Sequence, residues 1–301
     1  MICPKCKYKR KSVESVPDWQ CPSCGIAYSK AANTSYSKPS TRKASVTDNN
    51  LYGKVSLAQK ILSIAILLCI LFYVVSIWQK DSLPETSAII KSSFRDPIQF
   101  KTTKRPFSFF YRGETYDIEP VANYELWGLV VTKNNINSWA DIMHTDASVD
   151  IKDICVIWGE NVAGSDYQKV NFSSGDFTCY FQYPYMTVFD HNKISNNHLL
   201  SDNLNVREKI RNAKIGDQIH VKGMLVNYSP RSNPKWRRVS STIRTDTGNG
   251  ACEVLFVNEF DILASNNGGW YLLATISKWL FFILLLIKIF SILKPKKSSS
   301  A

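Results

Sequence analysis

Four of the eight cysteines fall within the first 24 residues, as two C-P-x-C pairs: Cys3 with Cys6, then Cys21 with Cys24, fourteen residues apart. Thiolates in two tight turns joined by a short hairpin converge on a tetrahedral ion at about 2.3 Å per sulfur, and zinc is the ion that four-cysteine sets take. Two disulfides or a redox dithiol would use the same residues. The spacing favours zinc, being just under the roughly 15–20 residues usual between such pairs. Pro4 and Pro22 stiffen the turns, and Gly25 supplies the positive φ needed just past the second pair. About thirty residues cannot build a core alone, so the metal must hold this segment, with Trp19 and Tyr28 expected to cover it.

Elsewhere the chemistry is sparse. The sequence has no G-x-S-x-G elbow, no phosphate-cradling glycine loop and no H-E-x-x-H. His191 and His198 stand in DHNKISNNHLLSDN with Asp190 and Asp202; their spacing matches no ligand pattern, and the run reads as a polar surface loop. His144, three residues after Asp141 on one helical face, reads as a surface contact. His220 alternates with Ile219 and Val221 and is expected on the polar side of a strand or at a barrel end.

The most ligand-like stretch is PRSNPKWRR, where Arg231, Lys235, Arg237 and Arg238 surround Trp236. Charge with aromatic stacking suits an anionic ligand such as envelope polysaccharide or a lipid phosphate, against the plainer reading of a solvated hairpin tip. In IRTDTGNGACE, Arg244 is expected to lock a hairpin by pairing with Asp246 or Glu253. The KCKYKRK run at residues 5–11, with Tyr8 interleaved, suits nucleic acid by charge and stacking, and suits a protein partner equally.

The N-terminal patterns C-P-x-C-x-Y-x-R and W-x-C-P-x-C-G-x-A-Y resemble the short zinc ribbons that begin many bacterial proteins. The resemblance covers about a tenth of the chain. It implies a zinc module and no activity.

Two apolar runs must position everything else. Residues 61–78 carry no charge between Lys60 and Lys80, and eighteen residues at 1.5 Å each reach about 27 Å, close to the hydrocarbon thickness of a bilayer. Residues 270–293 contain Lys278 and Lys288, each able to snorkel to its nearer headgroup layer. Lys278 otherwise reads as a partner for an acid in another membrane helix. Residues 1–30 hold no apolar h-region, so no cleaved signal is expected. The net charge of +12 is uneven: residues 1–60 carry +8, residues 278–301 carry +5, and the stretch between them −1. Both excesses flank the spans on one side, so both termini are expected in the cytoplasm of a bacterial cell and the middle outside its inner membrane.

That topology sorts the remaining thiols. The N-terminal four lie in a reducing compartment, which favours zinc. Cys69 reads as a packing residue in the first span. ICVIW and FTCYF read as external strands, so Cys155–Cys179 is the expected disulfide, leaving Cys252 buried as a thiol or bonded between chains.

The expected organisation is a ribbon (1–30), a flexible basic linker that either stays solvated, its charges only setting topology, or is drawn to anionic membrane lipid (31–59), a span (60–79), a mainly-β or α+β extracytoplasmic domain (80–269), a second span (270–293) and a basic tail (294–301). In the β domain an R-G-E turn separates two aromatic-rich strands, and YELWGLVVTK reads as a third. NSWADIMHT and NLNVREKIRNA read as helices. WRRVSSTIR and ACEVLFVNEFDIL read as a closing pair turned at Asn249–Gly250. The run GDQIHVKGMLV resembles a strand of OB-type barrels, where glycine lets the strand coil, and Gly128 is expected to do the same in a first strand. The whole arrangement resembles bacterial inner-membrane proteins built of ribbon, span, external β domain and span. The expected function is non-enzymatic: the β domain binds or senses an envelope ligand or protein, and the ribbon docks a cytoplasmic partner. An envelope enzyme acting on polysaccharide or lipid would need a pocket gathering Asp and His. A membrane-tethered nucleic-acid binder would act through the ribbon.

Overall fold

The computed structural model describes residues 1–32, 57–134, 136, 148–175, 178–246, 248 and 250–293. Most of the basic linker, the expected helix with Asp141 and His144, Asn249 and the 294–301 tail lie outside them. The chain divides into two compact units, Met1–Ser56 and Leu57–Ala301. The first holds the two cysteine turns and a short helix, α1 (Tyr28–Ala32).

The second unit begins with α2 (Leu57–Gln79), followed by β1 (Ile98–Lys101), β2 (Phe107–Tyr111), β3 (Glu114–Asn134) and β4 (Lys152–Ile157). After a one-turn helix, α3 (Glu160–Ala163), come β5 (Asn171–Ser174), β6 (Cys179–Gln182) and β7 (Ile194–Leu200). It ends with α4 (Leu204–Asn212), β8 (Asp217–Pro230), β9 (Glu253–Ser265) and α5 (Gly268–Leu293).

A mixed sheet organises these elements. β3 pairs with β4, β4 with β7, β7 with β9, β9 with β8, and β8 again with β3; only β7–β9 is parallel. The hydrogen-bonding path therefore returns to the strand it started from. Period-two alternation gives each strand two different faces. Ile154 and Val156 of β4 join Leu126, Leu199, Val221 and Leu255 in one cluster, sealed by Val206 and Ile210 of α4. Cys155 and Ile157 face the opposite way. α4 starts at Asn203, whose side chain accepts from the backbone of Asn205 and Val206. Its C-terminal end is held by buried Lys152, whose Nζ donates to the carbonyls of Arg211 and Ala213.

Several sequence expectations change here. The second and third expected strands are one, β3, which continues for 21 residues. A register shift between Pro120 and Ala122 accommodates a residue that has no N–H for the ladder. WRRVSSTIR forms no strand; it has a single bridge, Arg238 to Tyr228, and β9 pairs with β8 and β7 instead. The hydroxyls of Ser240 and Ser241 take the backbone N–H groups of Val254 and Ile243, which competes with a ladder. DHNKISNNHLLSDN is no surface loop either, since its centre is β7, buried between two neighbours. Gly223, in the run read as OB-like, allows a close approach of β8 and β9: a Cβ there would lie 2.1 Å from the Phe256 carbonyl oxygen. At Gly128 a Cβ would lie 2.5 Å from Val156 Cγ1.

α2 and α5 are long and apolar enough to cross a membrane. They run antiparallel. Lys288 Nζ donates to Ser63 Oγ at 3.1 Å near one end, and the Tyr271 hydroxyl bonds Asp81 at the other. Asn267, just before α5, donates to the carbonyls of Ser82 and Ile215, which ties the helix pair to the sheet.

Candidate functional site

The first unit is two near-copies of one turn. Cys3 N donates to Tyr8 O and Lys7 N to Cys3 O; eighteen residues later Cys21 N donates to Ile26 O and Gly25 N to Cys21 O. Lys7 (φ 60°) and Gly25 (φ 70°) occupy the same left-handed place. The result brings Cys3, Cys6, Cys21 and Cys24 together, with all four sulfurs within 4.8 Å of one another. A tetrahedron with arms of about 2.3 Å has edges of about 3.8 Å. The Cys3–Cys24 and Cys6–Cys21 separations are 3.8 and 3.5 Å, so the set fits a tetrahedral thiolate-bound metal. Burial works against ionising Cys21, but the backbone N–H groups of Cys24 and Ser23 and the nearby thiols bring it down to about 6. The same thiols push Cys24 the opposite way, so the four sulfurs share their protons.

Around this centre the sequence reading needs two changes. Trp19 is 62% exposed and does not cover the sulfurs. Arg10, grouped by sequence with the basic run, is a clamp: its guanidinium donates to the carbonyls of Val16, Pro17 and Gln20 and pairs with Asp18. Tyr8 is likewise engaged, through its hydroxyl to Glu14 at 2.7 Å. Lys5, Lys7, Lys9 and Lys11 remain exposed.

In the β domain two of the four basic residues of the loop are paired with acids. Arg231 pairs with Asp117 at 2.7 Å, Arg237 pairs with Glu119, and Arg238 lies against His198 Nε2. Lys235 and Trp236 are exposed, and Trp236 packs edge-on to Tyr228. A cavity of about 420 Å³ lies beside them, lined by Phe107, Asp117, Glu119, Tyr228 and Arg237 among others. Its charges are mixed. Arg244 forms an ion pair with neither Asp246 nor Glu253 among the described residues; Asp246 accepts from Ser241 instead. His191 bonds Tyr183, and His220 bonds Glu125 at 2.8 Å while stacking on Trp127.

The sequence did not anticipate the polar cluster on β4, β7 and the start of β9. His198 Nδ1 lies 2.7 Å from Asp153 Oδ1, and both residues are buried. His198 also hydrogen-bonds Cys252, and Asn196 Nδ2 reaches the same sulfur at 3.6 Å. Burial alone would lower His198; the charge and hydrogen bond of Asp153, with Cys252, push it up to about 9. Burial likewise raises Asp150, which accepts from Tyr228 at 2.8 Å, and lifts Glu253 to about 8. The one available signal was the alternation in SNNHLL, which a strand would use to send His198 and Leu199 to opposite faces.

The expected disulfide is present: Cys155 of β4 is bonded to Cys179 of β6, with Cα atoms 6.2 Å apart. No known family, curated protein or solved structure matches this chain.

Proposed function

We propose that this chain is a two-compartment binding protein of the bacterial inner membrane, with a cytoplasmic zinc ribbon and an OB-type β-barrel outside. The observation that most supports it is the split in sulfur chemistry. Four thiols gather for a metal in one unit, while Cys155 and Cys179 form a disulfide in the other. A reducing compartment maintains the first and an oxidising one the second. α2 separates the two in sequence, α5 can return the chain, and the lysine-rich ends support this orientation. Zinc is the metal favoured by an all-thiolate tetrahedral set.

The barrel reading rests on the five-strand circuit with α4 between its third and fourth strands. OB-type barrels bind oligosaccharides or oligonucleotides over the second and third strands and the flanking loops. Here those are β4, β7 and the β8–β9 loop that carries Trp236. The 61–277 stretch is near neutral, which suits an envelope saccharide or a protein better than nucleic acid. On the cytoplasmic side the ribbon docks a protein. Tyr8 and Arg10, the residues best suited to base stacking and phosphate recognition, are already engaged within the turn structure.

Reporter fusions test the topology. A reporter active only outside the cytoplasm is expected to be silent after Ala301 and active when inserted at exposed Gly164. The reverse pattern overturns the proposal.

A further inference from the structure

Cys252, His198 and Asp153 arrive from adjacent strands. β4 and β7 pair Asp153 with His198, and the parallel register of Asn197 with Glu253 sets Cys252 beside Asn196. Alternation turns all three away from the cluster that holds Ile154, Leu199 and Leu255. Their hydrogen bonds form one relay. Asp153 Oδ1 holds His198 Nδ1 at 2.7 Å, which leaves the far side of the ring for the Cys252 thiol and Arg238. His198 and Asp153 are 1% and 2% exposed, while Cys252 reaches partway to solvent. Asn196 Nδ2 stands 3.6 Å from the sulfur. A buried carboxylate, an imidazole and a partly exposed thiol, in that order, are the parts of an activated nucleophile.

We propose that Cys252 is the nucleophile of an acyl-transfer site, with His198 as its acid–base, Asp153 as the positioning carboxylate and Asn196 as an amide donor to the developing oxyanion. The substrate class is a carboxylic ester or thioester. The inference is independent of the metal and topology readings. The thiolate bonds the carbonyl carbon while the bond to the leaving oxygen or sulfur breaks, and that atom takes the His198 proton. Water then attacks the thioester and gives a proton to His198. The C–S bond breaks, the acid departs, and the thiolate is restored. An amide N–H beside the sulfur is placed to meet the oxygen that becomes negative.

The electrostatics agree with this geometry. Burial alone would raise Cys252, but the bond and charge of His198, then Asn196 and Arg238, hold it below the usual thiol value. The groups acting on the pair are Asp153 on β4, Asp150 just before it, Asn196 on β7, Glu253 on β9 and Arg238 in the β8–β9 loop; behind them Tyr228 bonds Asp150 and Asp246 acts on Glu253.

The test uses the full chain in detergent with its metal bound, and p-nitrophenyl acetate as the acyl donor. Mass spectrometry is expected to find one acetyl group on the Cys252 peptide, formed at least tenfold faster than on the same thiol in urea. Cys252→Ser abolishes it, His198→Ala slows it a hundredfold or more, and Asp153→Asn slows it and moves its pH profile toward that of an ordinary thiol. Because the buried variants can unfold, the wild-type profile is read as well. Iodoacetamide alkylation of native Cys252 is expected to reach its plateau at lower pH than in urea. An inflection equal to that of the unfolded thiol overturns the proposal. So does fast alkylation without acetylation, which would mark a reactive thiol that performs no acyl chemistry.

Discussion

Lys7 and Gly25 adopt the same left-handed conformation in the two cysteine turns, yet only one of them is glycine. A side chain at positive φ costs about 1 kcal/mol relative to glycine. Lys7→Gly is therefore expected to stabilise the metal-bound unit by about 0.5–1 kcal/mol, offset in part by the greater freedom of the unfolded chain. A chelator titration followed by circular dichroism reads this as a higher chelator midpoint; an unchanged or lower midpoint would show that Lys7 is not strained. A second residue-scale effect concerns protons. Glu253 releases its proton near 4.5 when unfolded and near 8 when folded, mainly because burial disfavours its charge. Between those values the native state holds the extra proton, so stability falls as pH rises, at up to about 1.4 kcal/mol per pH unit. His198, raised from 6.5 to about 9, acts in the same direction but only above 6.5. Lys152, lowered from 10.5 to about 7 chiefly by burial, opposes both above pH 7. Asp150, also raised by burial, acts in the same direction as Glu253, so the two buried acids together govern the window from pH 5 to 7. The urea midpoint of the β domain is expected to drop across it, and Glu253→Gln to flatten the drop. A midpoint that rises from pH 5 to 7 would refute the assignment.

At the scale of elements, glycine sets how closely β8 and β9 approach. The Cβ position at Gly223 lies 2.1 Å from a backbone oxygen, which cannot rotate away as a side chain would. Gly223→Ala is expected to cost about 3 kcal/mol or more, by strain of the overpacking kind. A urea midpoint within error of wild type would mean that the strands separate without cost. This strand was legible because its glycine sits within a clean alternation of polar and apolar residues. β7 was not, since ISNNHLL reads as polar while every residue after Ile194 is buried. Two of its polar side chains find partners remote in sequence: Asn197 donates to Ile154 O, 43 residues earlier, and His198 pairs with Asp153, 45 residues earlier. Local pattern carries no information about such partners. The same limit hid the Cys252 relay: His198 and Cys252 stood out singly, but nothing in the sequence joins them to Asp153. The cysteine turns were legible because spacing within 24 residues fixes their geometry. WRRVSSTIR, residues 236–244, reads as a strand but is none, because side-chain bonds to Ser240 and Ser241 override its β-like composition.

For the whole molecule, the two sulfur chemistries can be addressed separately in one sample. The units are compact by themselves, and their stabilising links differ in kind. Excess chelator is expected to release one zinc and to expose Cys3, Cys6, Cys21 and Cys24 to alkylation. Cys21→Ser weakens the site beforehand, because three thiolates leave an open position. The β domain should keep its urea midpoint throughout. A reductant that cannot bind zinc does the converse. The Cys155–Cys179 link spans a sequence separation of 24, and a closed loop of that size is worth about 3 kcal/mol in the chain-entropy account. Reduction should lower the β-domain midpoint by that order and leave the zinc in place. Thiol labelling in living cells then connects these responses to topology. Cys155 and Cys179 are expected to resist labelling until reduced, since β5–β6 belongs to a small sheet of its own, joined to β4 by the disulfide. Full labelling of both in unreduced cells would place the β domain in a reducing compartment and remove the main support for two-sided placement. Loss of zinc on reduction alone would show instead that the two units are not independent.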